Sequence, residues 1–310
     1  MPDSQDRAPI ETIEALIHEE VGRNILSIAE ATRGNLRRAA ASIAAENKPV
    51  IGIITGFYVP SGIPPAAETD GPVGVALLAL GLERAGIAWR IATDTPCASA
   101  CAAALTAAGL ENSVLDIAAL DAPLDPLIAT WRAAGVTHAL SIERCGRAAD
   151  GRPRNARGGD VGAYTAALDD LFTAGPWATI AVGDGGNEIG MGALPRDLIT
   201  AHVANGEMIA SVTPADHLIV AGVSNWGAWA LLAALAVMRP DWRAPLASAL
   251  DPAHDEAILR ATVHHGPAVD GLSRAQALTV DNLGMDIHHA KLRAIAAVVS
   301  AAPPPAANDR

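Results

Sequence analysis

Pro49-Val50-Ile51-Gly52-Ile53-Ile54-Thr55-Gly56 is a short apolar run closed by a threonine and a glycine. After a helical stretch at Gly74–Arg84 the pattern returns as Ile87-Ala88-Trp89-Arg90-Ile91-Ala92-Thr93. Apolar runs of about four to eight residues bounded by turn formers read as buried strands, and strands alternating with helical patterns read as parallel units. The alternation continues in both directions along the chain. An alanine-rich helix is expected over Pro96–Ala108, a short strand over Ser113–Ile117 and a helix over Pro126–Ala134. Strands follow at Val136–Ile142, Trp177–Val182 and His217–Val223, with helices at Gly162–Phe172 and Trp226–Met238. The expected class is therefore α/β: a mostly parallel, doubly wound sheet with helices on both faces.

Upstream of this region, Ile10, Ile13, Leu16, Ile17, Val21, Ile25 and Ile28 keep helical spacing, and Gly22 and Gly34 divide the stretch into two or three helices. The expected organisation is an N-terminal helical segment over 1–48 packed on the core, an α/β catalytic domain over 49–300 and a disordered tail over 301–310. The N-terminal segment carries many charges and no chemical motif, so it reads as scaffold, with a surface suited to a homo-oligomer. Residues 1–9 read as loose.

The chain has 310 residues, and 22 Lys and Arg against 34 Asp and Glu leave a net charge of −12. That excess repels phosphates and argues against nucleic-acid partners. The three cysteines, Cys97, Cys101 and Cys145, are too sparse for a disulfide framework and read as buried small hydrophobes. The longest apolar run, Trp226–Met238, is about two thirds of the roughly 20 residues that a membrane span needs. With no targeting pattern at the N-terminus, the expected compartment is the cytoplasm, with no membrane partner.

Open parallel sheets bind ligands beyond the carboxyl ends of their strands. In this chain those positions hold Thr55-Gly56, Thr93-Asp94, Glu143-Arg144, Asp184-Gly185 and Ser224-Asn225. Thr55-Gly56 leads to Glu68-Thr69-Asp70-Gly71-Pro72, where Asp70 reads equally as a helix cap and as a site acid, while Glu68 has no capping role. Arg144, Arg147, Arg152, Arg154 and Arg157 form one basic island suited to a carboxylate or phosphate clamp, and Arg144 and Arg147 lie nearest the strand end. Gly183-Asp184-Gly185-Gly186-Asn187-Glu188-Ile189-Gly190-Met191-Gly192 is not a dinucleotide fingerprint, since Glu188 holds the third glycine position. Nor is it a P-loop, since Met191 stands where lysine is needed. It offers Asp184, Asn187 and Glu188 on an amide-rich turn able to hold an oxyanion, transfer protons or bind a divalent ion. Ser224 and Asn225 read either as a helix cap or as ligand contacts. Adjacent histidines at 264–265 and 288–289 are weak metal candidates, and Asp270 and Asp281 are turn formers that also fit a pocket wall.

Taken together, Thr55-Gly56-Phe57, Glu68 to Pro72, Ile142-Glu143-Arg144, Gly183 to Gly192, Val223 to Gly227, Val269-Asp270-Gly271 and Thr279-Val280-Asp281 resemble the D-glutamate cyclase family, formerly a domain of unknown function, in its D-glutamate cyclase-like C-terminal domain. The resemblance runs from about residue 10 to 295. Cys145 stands where alanine is expected, and Asn282 where glycine is expected. The implied activity is a hydro-lyase reaction of D-amino acid metabolism: loss of water from D-glutamate to give 5-oxo-D-proline, by attack of the amine on the γ-carboxyl. That chemistry needs no enzyme nucleophile, and the chain has no nucleophile elbow. Under this reading Asp184 and Glu188 form the acid/base pair. Gly185, Gly186 and Asn187 hold the oxyanion, with Thr55, Gly56, Ser224 and Asn225 lining the substrate. Arg144 or Arg147 takes a substrate carboxylate. Glu68, Asp70 and Glu143 complete an acidic wall for the ammonium or for a divalent metal. No cofactor is required by that chemistry, although Mg or Mn is compatible with it. The competing readings are a metal-dependent hydrolase or phosphoryl-transfer enzyme on a small anionic substrate, and a non-catalytic amino-acid-binding protein.

Overall fold

The computed structural model describes residues 6–303, apart from the side chain of Ser113. Six strands form one parallel sheet: β1 (Val50–Thr55), β2 (Ala88–Asp94), β3 (Leu115–Ala118), β4 (His138–Ile142), β5 (Ala178–Gly183) and β6 (His217–Val220). Their order across the sheet is β3-β2-β1-β4-β5-β6, and every neighbouring pair is parallel. The chain winds outward from β1 to one edge, then returns to lay β4 against the other side of β1. The switch point between β1 and β4 is where a crevice opens in such sheets.

The strands are buried on both faces, and the period-2 alternation assigns each residue a face. Ile51, Ile53, Ile91, Leu140, Ile142, Ile180 and Val182 pack into one core, and Ile54, Ala92, Ala139 and Ala181 into the other. The second face is made of small residues because Trp131 lies on it. A Cβ at Gly52 would overlap the Trp131 ring. The first face is covered by the Pro72–Arg84 and Ser224–Met238 helices. Ser224–Met238 is buried all round, as an apolar helix without a polar stripe must be. Gly74 and Gly81 let the two helices meet, since a Cβ at either would collide with Asn225 or Leu232.

The N-terminal segment forms three helices, Arg7–Ile17, Leu26–Ala31 and Asn35–Ala45. Residues 7–9, expected to be loose, begin the first of these; residues 1–5 lie outside the described residues. At the other end Ala301 closes the Met285–Ala301 helix, and residues 304–310 of the expected tail lie outside the described residues. Ile10, Ile13 and Ile17 join the first core, while Ile25 and Ile28 join the second, so the segment passes from one face to the other over the sheet. The strand expected to reach Val223 stops at Val220, because the Gly222 amide turns to the Ile17 carbonyl at 2.8 Å.

A second difference lies at 162–172. A 3-10 turn at Gly162–Tyr164 and a helix at Leu168–Thr173 replace the single helix expected. The break has a cause: the Ala166 amide donates to Asp94 Oδ2 at 3.2 Å, and its carbonyl accepts from Arg144 at 2.7 Å. Both groups are thereby withdrawn from a helical ladder. The three cysteines are free and buried. Among the described residues no helix is long and apolar enough to cross a membrane.

Candidate active site

At the carboxyl ends of β1, β4 and β5 lies a cavity of about 270 Å³. Its wall includes Phe57 to Ser61 after β1, Glu143 after β4, and Asp184, Gly185, Asn187 and Glu188 after β5. Glu68, Gly271 and Asp281 come from more distant loops, and Arg23 from the N-terminal segment.

The first turn of the Ser224–Met238 helix organises the acids. Its orphan N–H groups would normally be capped locally or solvated. Here the Ser224 amide donates to Asp70 Oδ2 at 3.0 Å and to Asp184 Oδ2 at 3.2 Å, and the Asn225 amide donates to Asp70 Oδ1 at 2.8 Å. The Ser224 hydroxyl donates to Glu143 Oε2 at 2.6 Å. One helix end thus gathers three carboxyls whose oxygens lie within 4.8 Å of one another. Asp70 caps this helix rather than the one that follows it in sequence. The following helix, Pro72–Arg84, is served in return by Asn225, whose Oδ1 accepts from the Gly71 and Gly74 amides at 2.9 and 2.8 Å. The terminus of this helix is therefore occupied by the protein's own carboxyls.

Glu188 curls back so that its Oε1 accepts from the Gly185 amide at 2.6 Å and from the Asp184 amide at 3.2 Å. Its Oε2 is buried without a hydrogen-bond partner among the described residues, as is Glu68 Oε1. Glycine at 271 makes room for Glu68, because a Cβ there would overlap the carboxyl. Asp270 lies behind the cavity and acts on the backbone: its Oδ1 takes the Leu272 and Ser273 amides and its Oδ2 the Asn282 amide, which shapes the loop that presents Asp281. Glu143 and Asp281 both sit at positive φ, 45° and 53°. Non-glycine residues held there are strained, and such strain gathers at functional sites.

The cation facing these acids is Arg23, whose guanidinium pairs with Asp184 and Asp281. Burial opposes its charge, and Asp184, Asp281, Glu143 and Asp70 together more than offset that, so its pKa is raised. One guanidinium cannot balance the set. Burial, then the nearby Asp281 and Asp70, hold the Glu68 carboxyl well above its usual range. Burial and Asp281 push Asp70 up to about 7. Burial, then Glu188 and Glu68, raise Glu143. Burial raises Asp184 against the opposing pull of Arg23. Buried like-charged carboxyls either keep protons or take a cation.

Glu68, Asp70, Glu143, Asp184 and Glu188 are thus brought together, whereas the expected arginines are not. Arg144 is 1% exposed and is used up inside the protein: it pairs with Asp94 at 2.6 Å and donates to the Gly56 carbonyl at 2.8 Å and to Ala166. Arg147 lies outside the cavity wall and pairs with Asp170. Neither reaches a ligand in the cavity, because each already has an internal anion. The Gly185 amide, expected to hold an oxyanion, is taken by Glu188. Gly186 packs toward Ile199 and Val203, and the Asn187 amide group donates to the Arg154 carbonyl at 2.9 Å. Gly56 is a packing requirement: at φ +104° its Cβ would collide with Cys97 and Thr93. Thr55 is fully buried behind Gly71. None of the paired histidines lines the cavity; His264 and His265 are exposed, His288 accepts from Trp226 Nε1 at 2.9 Å, and His289 faces Asp255. Arg23 was missed because its segment shows only amphipathic spacing. The one local signal is Glu20, which sits in the Gly22–Asn24 turn and accepts from the Gly22, Asn24 and Ile25 amides.

A family model described as D-glutamate cyclase-like, C-terminal, matches residues 13–296. A curated relative, the human (Homo sapiens) protein named "D-glutamate cyclase, mitochondrial", is 43% identical over 105 residues. That stretch is 33% of this chain and 17% of the human protein, so the aligned region spans less than a fifth of the relative.

Proposed function

The chain belongs to the D-glutamate cyclase-like, C-terminal family, and from that membership we propose that it is a hydro-lyase converting D-glutamate to 5-oxo-D-proline and water. The observation that carries the reading is the set of buried carboxyls around the Arg23 guanidinium. The reaction forms a bond from the α-nitrogen to the γ-carbon and breaks one γ-carbon–oxygen bond. The ammonium gives up two protons, and both leave on the departing oxygen as water, so no net proton is taken from solvent. A site for it must pass protons between two substrate groups a few ångströms apart.

Carboxyls with pKa values lifted toward neutrality suit that task. Ionised members of the wall bind the ammonium. Asp184, next to Arg23, accepts the first proton, and a protonated neighbour, Glu143 in the wall or Asp70 behind it, supplies one toward the leaving oxygen. Glu188 fixes the Asp184-Gly185 backbone and presents its unpartnered oxygen to the cavity. Holding the substrate folded supplies an orientation contribution of several kcal/mol.

A second reading is supported by the spacing of Asp70, Glu143 and Asp184, which suits a hard divalent cation such as Mg or Mn. Such an ion would supply Lewis-acid polarisation of a carboxyl or phosphoryl oxygen, in a cyclase or in a hydrolase of small anions.

The test is incubation of the purified protein with D- and L-glutamate, following 5-oxoproline by NMR in both directions, with EDTA and with added Mn. Formation from D-glutamate, reduced at least about 10²-fold in Asp184→Asn, is expected. Binding without turnover would leave an amino-acid-binding protein. Turnover of neither isomer under any condition would overturn the reading. Loss with EDTA and recovery with Mn would favour the metal-bearing form.

A further inference from the structure

We propose that Arg157 is the specificity-determining contact of this site, taking the substrate carboxylate that survives into the product. The inference deepens the cyclase reading and rests on it. Of the five arginines between 144 and 157, four are spent on internal partners: Arg144 on Asp94, Arg147 on Asp170, Arg152 on Asp160 and Arg154 on Asp150. Arg157 is exposed, makes no ion pair among the described residues, and is the one of the five that lines the cavity.

Its backbone is held in place from several sides. Asn155 Oδ1 accepts from the Arg157 and Gly159 amides, each at 3.0 Å. Asn205 donates to the Ala156 carbonyl at 3.0 Å, and Asn187, in the glycine-rich turn, donates to the Arg154 carbonyl at 2.9 Å. The loop tip is thus fixed to the same turn that carries Asp184 and Glu188, and the free guanidinium stands on a rigid support. Arg274 repels it and, after burial, is the second cause that lowers its pKa, so an anion there relieves two cations.

Charge accounting inside the cavity points the same way. Arg23 is saturated by Asp184 and Asp281. The ionised members of the acid wall repel a carboxylate and attract an ammonium. A substrate carrying one ammonium and two carboxylates therefore enters with its ammonium toward the acids, and its non-reacting carboxylate meets Arg157.

Steady-state kinetics of the wild type, Arg157→Gln and Arg157→Lys on D-glutamate and on its α-amide test this. In Arg157→Gln, KM for D-glutamate rises about tenfold with kcat held within about twofold, and Arg157→Lys recovers part of the loss. The preference for D-glutamate over the α-amide falls by about the same factor. An unchanged preference, or a loss confined to kcat, overturns the assignment. If the wild type forms no 5-oxoproline, the cyclase reading fails, and calorimetric titration with D-glutamate then reads the arginine on its own. Binding weakened about tenfold in Arg157→Gln supports the contact. Equal binding in both proteins, or none in the wild type, overturns it.

Discussion

Arg23 is the residue on which the electrostatics of the cavity turns. It lowers the proton affinity of Glu68, Asp70, Glu143 and Asp184 at once, and burial raises the affinity of all four. Removing its charge leaves the burial contribution less opposed, so each carboxyl ionises at a higher pH. A reaction that begins with an ionised acceptor then loses rate at a higher pH than before. In Arg23→Gln the acidic limb of kcat/KM is expected to move upward by about one pH unit, within the range that a neighbouring opposite charge produces. A profile in that variant that overlays the wild type would show that none of the carboxyls facing Arg23 is the acceptor. The KM effect of Arg157 is separable from this, because Arg157 is not among the leading causes of the shifts in these acids.

Asp70 and Asn225 exchange caps between two helices that lie far apart in the chain. Asn225→Ala strips the side-chain acceptor from the buried Gly74 amide and one of two from the Gly71 amide, which keeps Asp70 Oδ1 at 3.0 Å. Loss of a cap with one buried donor left unpaired costs about 1–2 kcal/mol, read as a lower urea midpoint at unchanged slope. An Asn225→Ala protein as stable as the wild type would mean that other acceptors take over those amides. The same elements show how far sequence reasoning reached. The strands β1, β2, β4 and β5, the long buried helix and the glycine-rich turn were legible, because apolar runs and glycine strings are local signals. Asp184, Glu188, Glu143, Glu68 and Asp70 were legible as a group, because each follows a strand or precedes a helix. What stayed hidden is which charges meet. Arg144 and Arg147 look free in sequence and are paired in space, while Arg23 looks like scaffold and meets Asp184 and Asp281. Pairing between distant segments leaves no spacing to read. The broken helix at 162–172 has the same origin, since its interruption is imposed by Asp94 and Arg144 from other elements.

At the scale of the whole molecule, the net charge of −12 is concentrated in part inside the protein. Glu68, Asp70, Glu143 and Asp184 all bind protons more tightly in the folded chain than in the unfolded one. For Asp70 the value moves from 3.8 to about 7. The folded state therefore holds more protons than the unfolded state between those limits, and stability declines as pH rises through the interval. The contribution of each such carboxyl is complete below its unfolded pKa and gone above its folded one. This is opposite in sign to a salt-bridged surface acid, whose contribution is lost on acidification. The unfolding midpoint of the wild type is expected to fall between about pH 4 and pH 7 beyond what surface self-repulsion produces. Asp70→Asn, which keeps the volume and removes the titration, should flatten that slope even if its absolute stability changes. A cation that binds the acid wall stabilises the ionised form and should restore the midpoint most at the alkaline end. Thermal unfolding of both proteins across this interval, with and without Mn, measures the slope directly. Identical slopes in wild type and Asp70→Asn would show that Asp70 is already ionised in the resting site, and the proton supplied to the leaving oxygen would then have to come from Glu143.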